Sequence, residues 1–238
     1  MDMAPNSFDD QYLRCHYRMV RALPALNLTE FLPYSDYAEA WHKAAAVWGS
    51  REPGLEGSAL QMEQAIALLA YTMEEGLYLE FNKAVRVAGR SRREYLDSFH
   101  FKVIHFLLTE AVSELRGAQA QPRCLHVFRG VDGIRFTCRP GQLVRFGQFA
   151  SASLLRNVSE SYGTSTFFEV DTCHGAAIHR FSYYPQEEEV IIPPFEIFLV
   201  TNISRRGDDT YIHLRSQGVH SKYNCAWLRG DVLGWGHR

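Results

Sequence analysis

Proline is absent from residues 54–121, and from Cys124 onward the chain breaks into short β-rich runs punctuated by Gly and Pro. This division constrains the fold most, because proline, which lacks a donor and clashes with the preceding turn, kinks or breaks a helix interior. In the proline-free stretch Phe101, Ile104, Leu108, Val112 and Leu115 recur at spacings of three and four. That spacing predicts one apolar helix face running to about Arg116 and closed by Gly117. Ser58 with Gln61, and Ser91 with Glu94, both fit capping boxes, while Ser35-Asp36 fits the start of a helix through Trp48. Residues 8–23 read as a first helix. The second half offers strands at 124–129, 142–146, 167–173, 188–192, 196–203 and 210–216. Helices grouped before strands argue for an α+β fold over alternating α/β. With no low-complexity linker and no internal repeat, the expectation is one domain over 1–238. Residues 1–120 are expected to be mainly helical and residues 121–238 mainly antiparallel β.

The 238 residues carry 25 basic and 27 acidic side chains, a net charge of −2 that rules out nucleic-acid binding by bulk positive charge. No apolar run of 18 residues occurs, so no transmembrane segment is expected. The opening MDMAPNSFDD has neither basic nor apolar signal regions, so no signal peptide is expected within this chain. Cysteines are five: Cys15, Cys124, Cys138, Cys173 and Cys225. None forms a C-x-x-C pair, and the one zinc reading would join Cys124 and His126 to Cys173 and His174. Five buried thiols in a cytosolic protein is the plain reading. Three N-x-[ST] sequons, at Asn27, Asn157 and Asn202, lean instead toward an extracellular, disulfide-bonded protein.

Three features of the β half bear on chemistry. In Val127-Phe128-Arg129-Gly130, a cation at the end of an apolar strand precedes open glycine backbone, a pairing suited to clamping a phosphate or carboxylate or to a plain strand-end salt bridge. In Phe149-Ala150-Ser151-Ala152-Ser153 the two hydroxyls share a strand face, either to orient a carboxylate or sugar or as polar decoration. In Glu187-Glu188-Glu189-Val190, an extended backbone would turn Glu187 and Glu189 to one side and Glu188 to the other. Converging carboxylates raise one another's pKa and suit chemistry through an oxocarbenium-like state. No G-x-G-x-x-G, H-E-x-x-H or P-loop occurs, so a dinucleotide would not be held in the Rossmann manner.

Arg129, Ser151 and Glu187-x-Glu189, in this order, resemble the signature of the vertebrate ecto-ADP-ribosyltransferases of the arginine-specific kind. SFDDQY, LLAYT, AGRSRREYLDSFHFKVIHFLLTEA, DTCHGA, IPPFEIFLV and KYNC resemble that family too, so the likeness spans nearly the whole chain and looks nearest to its GPI-anchored muscle type. The resemblance implies helices packed on a β-sandwich that holds NAD, without a metal. It implies Arg129 on the phosphate or ribose side of NAD, the Gly130 backbone on the nicotinamide carboxamide, and Ser151 positioning Glu189. Glu189 would engage the nicotinamide ribose, and Glu187 would serve the acceptor arginine. It further suggests Tyr71 beside the NAD cleft, Phe167 stacking on nicotinamide (Phe168 nearly as well) and Ser182 touching the cofactor. The implied disulfides are Cys15–Cys225 and Cys124–Cys173, with Cys138 left over. The expected partners are NAD and arginine-bearing proteins at the cell surface or secreted, for an extracellular enzyme either secreted or GPI-anchored. The competing readings are an NAD glycohydrolase and an inactive surface binding module.

Overall fold

Caps and buried carboxylates decide where the helices begin. The computed structural model describes residues 1–30, 36–51, 59–73, 76–118 and 123–228. Its helices in the first half are α1 (His16–Glu30), α2 (Asp36–Arg51), α3 (Met62–Thr72), α4 (Leu77–Ala88), α5 (Arg92–Ser98) and α6 (Lys102–Ala118). Ser91 caps α5 as expected, its hydroxyl accepting from the Glu94 N–H at 3.1 Å. The apolar face of α6 is buried at Ile104, Leu108, Val112 and Leu115. Ser35 and Ser58 lie outside the described residues. The box that starts α3 sits three residues later than expected, with Gln64 Oε1 accepting from the Gln61 N–H at 2.7 Å.

The first helix also starts later than the sequence suggests, at His16 in place of residue 8. The reason is that Asp9 and Asp10, both fully buried, hydrogen-bond backbone groups in a non-helical conformation. Asp10 accepts from the N–H groups of Tyr12, Cys225 and Ala226 at 2.7, 2.9 and 2.8 Å. Asp9 accepts from Lys222 N at 2.8 Å and pairs with the buried Arg145 guanidinium at 2.7 Å. Tyr12 and Arg14 take positive φ of 55° and 67°, which no helix allows. The Cys15–Cys225 disulfide closes the same knot, joining chain ends 210 residues apart.

The second half contains β1 (Leu125–Val131), β2 (Leu143–Val144), β3 (Ala150–Ser153), the short helix α7 (Arg156–Ser161), β4 (Thr166–Thr172), β5 (Ala176–Ala177), a 3-10 turn (Pro185–Glu187), β6 (Glu189–Ile192), β7 (Glu196–Arg206) and β8 (Asp209–Val219). The expected sandwich takes the form of one hydrogen-bonded succession of eight strands, β2-β7-β8-β4-β1-β3-β6-β5, antiparallel except for β4 with β8. It narrows at one place: β1 and β3 share a single register pair, Phe128 with Ser153. There the sheet splays into a five-strand and a three-strand part, and α7 packs across the gap. Cys124–Cys173 ties the start of β1 to the residue after β4, leaving no thiolate for the zinc reading. Cys138 is free and half-buried.

Two apolar cores flank the three-strand part. The helical core takes in Phe149, Ala176 and Ile191, and the β core takes in Ala150, Ala152, Val190 and Ile192. All four residues of β6 are buried, so this strand is covered on both faces. Among the described residues no helix is long and apolar enough to cross a membrane.

Asp9→Ala leaves the Arg145 charge buried without its partner. The expected loss is about 3–5 kcal/mol, read as a lower urea or thermal unfolding midpoint, and an unchanged midpoint would show that the knot contributes nothing.

Candidate active site

Register decides which side chains reach the gap between β1 and β3. Arg129 on β1 stands opposite Phe168 on β4, so these two share a sheet face, while Phe167 points to the other. Ser153 on β3 stands opposite Glu189 on β6, and Ser151 opposite Ile191, which sets both hydroxyls and the Glu189 carboxylate on one face. A cleft of about 1060 Å³ opens between this edge and helices α3 and α4. Tyr71, Arg129, Gly130, Ser151, Glu187 and Glu189 all line it.

The Arg129 guanidinium donates to the Ser151 carbonyl, bridging the splayed strands. Burial lowers its pKa, and Tyr71 and Glu189 oppose that shift, so it remains a cation. Gly130 must be glycine for a reason of packing. A Cβ there would lie 2.0 Å from the Ser159 carbonyl oxygen and 2.4 Å from that of Gly163, both backbone atoms of α7 and its end. The absent side chain therefore lets α7 close against β1, with Ser159 Oγ donating to the Phe128 carbonyl at 2.7 Å.

Glu189 is 7 % exposed. Burial pushes its pKa up to about 7, and Glu187 adds to the rise, while hydrogen bonds from Ser151 and Ser182 and the Arg129 charge hold it down. Ser182 Oγ reaches Glu189 Oε2 at 3.1 Å. Behind Ser151, Asn82 Nδ2 donates to Tyr71 Oη at 3.0 Å and Tyr71 donates to the Phe149 carbonyl at 3.0 Å, which sets the phenol oxygen beside the Ser151 hydroxyl. Burial drives the Tyr71 phenol to about 12, so it stays protonated.

Glu187 reaches the cleft by a route other than the extended strand expected. It ends the 3-10 turn, Glu188 takes a left-handed conformation at φ 47°, and only Glu189 begins the strand. The result is still two carboxylates on one cleft, with Glu188 turned to His179 at 3.5 Å. Tyr162 Oη donates to Glu187 Oε1 at 2.6 Å, and Ser153 Oγ to the Glu187 carbonyl at 2.6 Å.

Two further expectations change. Phe167 is fully buried on the face away from the cleft, stacked with Phe128 and beneath the Arg156 guanidinium, whereas Phe168 lines the cleft. Ser182 is fully buried and outside the cleft lining; it serves Glu189, and its carbonyl accepts from Arg51 at the end of α2 at 2.8 Å. Sequence reasoning missed Asn82 and Tyr162. Nothing local marks either, since their partners lie 11 and 25 residues away. Among the described residues no cluster of His, Cys, Asp and Glu is arranged to hold a metal ion.

A cation, a buried carboxylate and aromatic walls in a cleft of this size suit a dinucleotide. The sequence model of the NAD:arginine ADP-ribosyltransferases matches residues 1–222. The chain belongs to that family. It is 50% identical to NAD(P)(+)–arginine ADP-ribosyltransferase 2 of Gallus gallus, over 100% of this chain and 77% of the relative. It is 47% identical to the GPI-linked NAD(P)(+)–arginine ADP-ribosyltransferase 1 of Homo sapiens, over 96% and 74%. The crystal structure of the eucaryotic mono-ADP-ribosyltransferase ART2.2 superposes with a TM-score of 0.80 at 32% identity, covering 96% of this chain and 99% of that one. A mutant of the same enzyme, solved in complex with NAD, superposes equally well over 95% and 98%. This ADP-ribosyltransferase therefore uses NAD as its co-substrate, and arginine is the acceptor of its family.

Because folding raises the Glu189 pKa above the ordinary 4.5, its favourable contribution is complete below pH 4.5 and is lost as pH rises through about 7. Above pH 7 the fold carries a buried charge costing on the order of 3 kcal/mol. Glu189→Gln removes that charge, so the variant's unfolding midpoint in urea should exceed the wild type's at pH 8.5. The advantage should shrink toward pH 5, and equal midpoints at pH 8.5 would show that the carboxylate is not held at a cost.

Proposed function

We propose that this cleft moves ADP-ribose from NAD to the guanidinium of arginine side chains on extracellular proteins, with Glu189 and Glu187 dividing the work. The observation that carries the reading is the contrast between these carboxylates, two residues apart in one cleft. Glu189 is buried, bonded by Ser151 and Ser182, and displaced in pKa to about 7. Glu187 is only half-buried and stands at the mouth, held by Tyr162.

Arg129 takes the phosphate or ribose side of NAD, where its cation balances the donor's negative charge. The backbone of Gly130 meets the nicotinamide carboxamide, and Phe168 supplies an aromatic wall on the same sheet face as Arg129. Ionised Glu189 engages the nicotinamide ribose and stabilises the positive charge that develops on the sugar as nicotinamide departs. Ser151 and Ser182 fix its orientation. Glu187 hydrogen-bonds the incoming guanidinium and takes its proton, which a protonated guanidinium must lose to become a nucleophile. The two disulfides, the sequons at Asn27, Asn157 and Asn202, and the GPI-linked relatives support an extracellular place of action.

Incubation with labelled NAD and agmatine separates the roles. Glu187→Gln should lower transfer to agmatine by about a hundredfold or more while NAD hydrolysis survives, and Glu189→Gln should lose both. Normal transfer by Glu187→Gln removes it from the acceptor step. For the wild type, kcat/KM for NAD should fall as pH drops through about 7, because protonation removes the Glu189 charge. A profile flat down to pH 5 would assign that charge to another group.

A further inference from the structure

The three sequons meet the fold at different places. Asn27 lies on α1 and Asn202 on β7, and neither element contributes a residue to the cleft lining. Asn157 lies on α7, whose Val158 and Ser159 do line it. The side chains of α7 divide by face. Ser159 is buried against β1, its hydroxyl donating to the Phe128 carbonyl at 2.7 Å. Arg156 pairs with Glu160 and lies over the Phe167 ring, on the far face of the sheet. Asn157 is exposed, on the solvent side.

Both ends of α7 are tied to the bend that presents Glu187. Before the helix, Ser153 Oγ donates to the Glu187 carbonyl at 2.6 Å and the Leu154 N–H to the Glu188 carbonyl at 3.1 Å. At its end, Tyr162 Oη donates to Glu187 Oε1 at 2.6 Å. Asn157 follows Leu154 by three residues and precedes Tyr162 by five. Five residues are about 8 Å along a helix axis. A group carried on Asn157 therefore stands beside the mouth of the cleft.

We infer that Asn157 carries an N-linked glycan that screens the acceptor mouth, so that small guanidines reach Glu187 unhindered while folded proteins are modified only at arginines on protruding segments. The inference rests on the transferase reading, the extracellular setting and the acceptor role of Glu187 proposed above. It adds which proteins the site accepts. In the attachment step the Asn157 amide nitrogen bonds to C1 of N-acetylglucosamine on a lipid-pyrophosphate-linked oligosaccharide. The amide loses a proton and the lipid pyrophosphate departs. The Ser159 hydroxyl that completes the sequon is buried and committed to Phe128 in the folded chain, so attachment precedes the docking of α7. The exposed Asn157 then carries the glycan without disturbing the fold. A glycan is bulky and well hydrated. A folded surface pressed against α7 has to confine it and bears that entropic cost, whereas agmatine does not touch it.

The test uses protein secreted from vertebrate cells, as wild type, Asn157→Gln and Asn202→Gln. Mass spectrometry of the peptide that holds Asn157 reads its occupancy. Transfer is then measured as kcat/KM with agmatine, with a folded arginine-bearing protein and with a short peptide from that protein. The Asn157 peptide should carry a glycan. Asn157→Gln should raise kcat/KM about threefold or more with the folded protein and change it less than about twofold with agmatine or the peptide. Asn202→Gln should leave all three acceptors unchanged. If Asn157→Gln is not secreted, endoglycosidase trimming of the folded Asn202→Gln protein gives the same comparison. An unmodified Asn157, an equal rise with agmatine, or no rise with the folded protein would each overturn the inference. Failure of every form to modify agmatine would overturn the transferase reading, and this inference with it.

Discussion

The constraint on which the site depends is the burial of β6 on both faces. Val190 and Ile192 pack into the β core and Ile191 into the helical core. A slip of one residue would exchange side chains of different shape between two closely packed cores and carry the Glu189 carboxylate to the opposite face, away from Ser182, so the register is fixed. Glu189 is the first residue of that strand. Its carboxylate is therefore held where water cannot solvate it fully, and its raised pKa follows from that position. Ser151, Ser182 and Arg129 then supply what water would have supplied, in fixed directions. Such preorganisation is what a site needs to stabilise charge that develops only during reaction.

The same strand geometry explains why the cleft opens where it does. A sheet of eight strands paired along its full length would leave no gap for a dinucleotide. Here β1 and β3 are joined by one register pair, and the separation is kept from closing by Arg129, whose guanidinium spans it to the Ser151 carbonyl. On the far side, α7 holds the splayed edge because Gly130 has no side chain to keep it away. Arg129 and Gly130 are thus adjacent residues with opposite physical tasks. One fills the gap with charge, and the other vacates space so that a helix covers the edge beside it.

Much of this was legible in the sequence and some was not, for physical reasons. The α6 face and the Ser91 cap were readable because both rest on contacts three or four residues apart. The Cys15–Cys225 and Cys124–Cys173 pairings came from family likeness, since spacing alone leaves connectivity open. The start of α1 was misread because residues 8–12 look helical in pattern, while the side chains of Asp9 and Asp10 are committed to backbone more than 200 residues away. Phe167 and Phe168 were indistinguishable because alternation assigns opposite faces without saying which face is the cleft. Only the lining of the cleft, which takes in Phe168 and not Phe167, decides that. Glu187 and Glu189 were rightly expected to converge, though through the wrong backbone.

That backbone bears on how two carboxylates so near in sequence take different roles. A straight strand would give both glutamates the same burial, and their repulsion would raise both pKa values in the same surroundings. The 3-10 turn ending at Glu187 and the left-handed Glu188 break that symmetry. A non-glycine residue at positive φ costs roughly 1–2 kcal/mol. Hydrogen bonds from Leu154 N to the Glu188 carbonyl at 3.1 Å and from Ser153 Oγ to the Glu187 carbonyl at 2.6 Å offset it. Ser153 and Leu154 are at the end of β3, two and three residues past Ser151. The segment that presents Ser151 to Glu189 thus also holds the bend that lifts Glu187 to the mouth. A change in β3 register would disturb both carboxylates together, whereas Tyr162 bonds the Glu187 carboxylate directly.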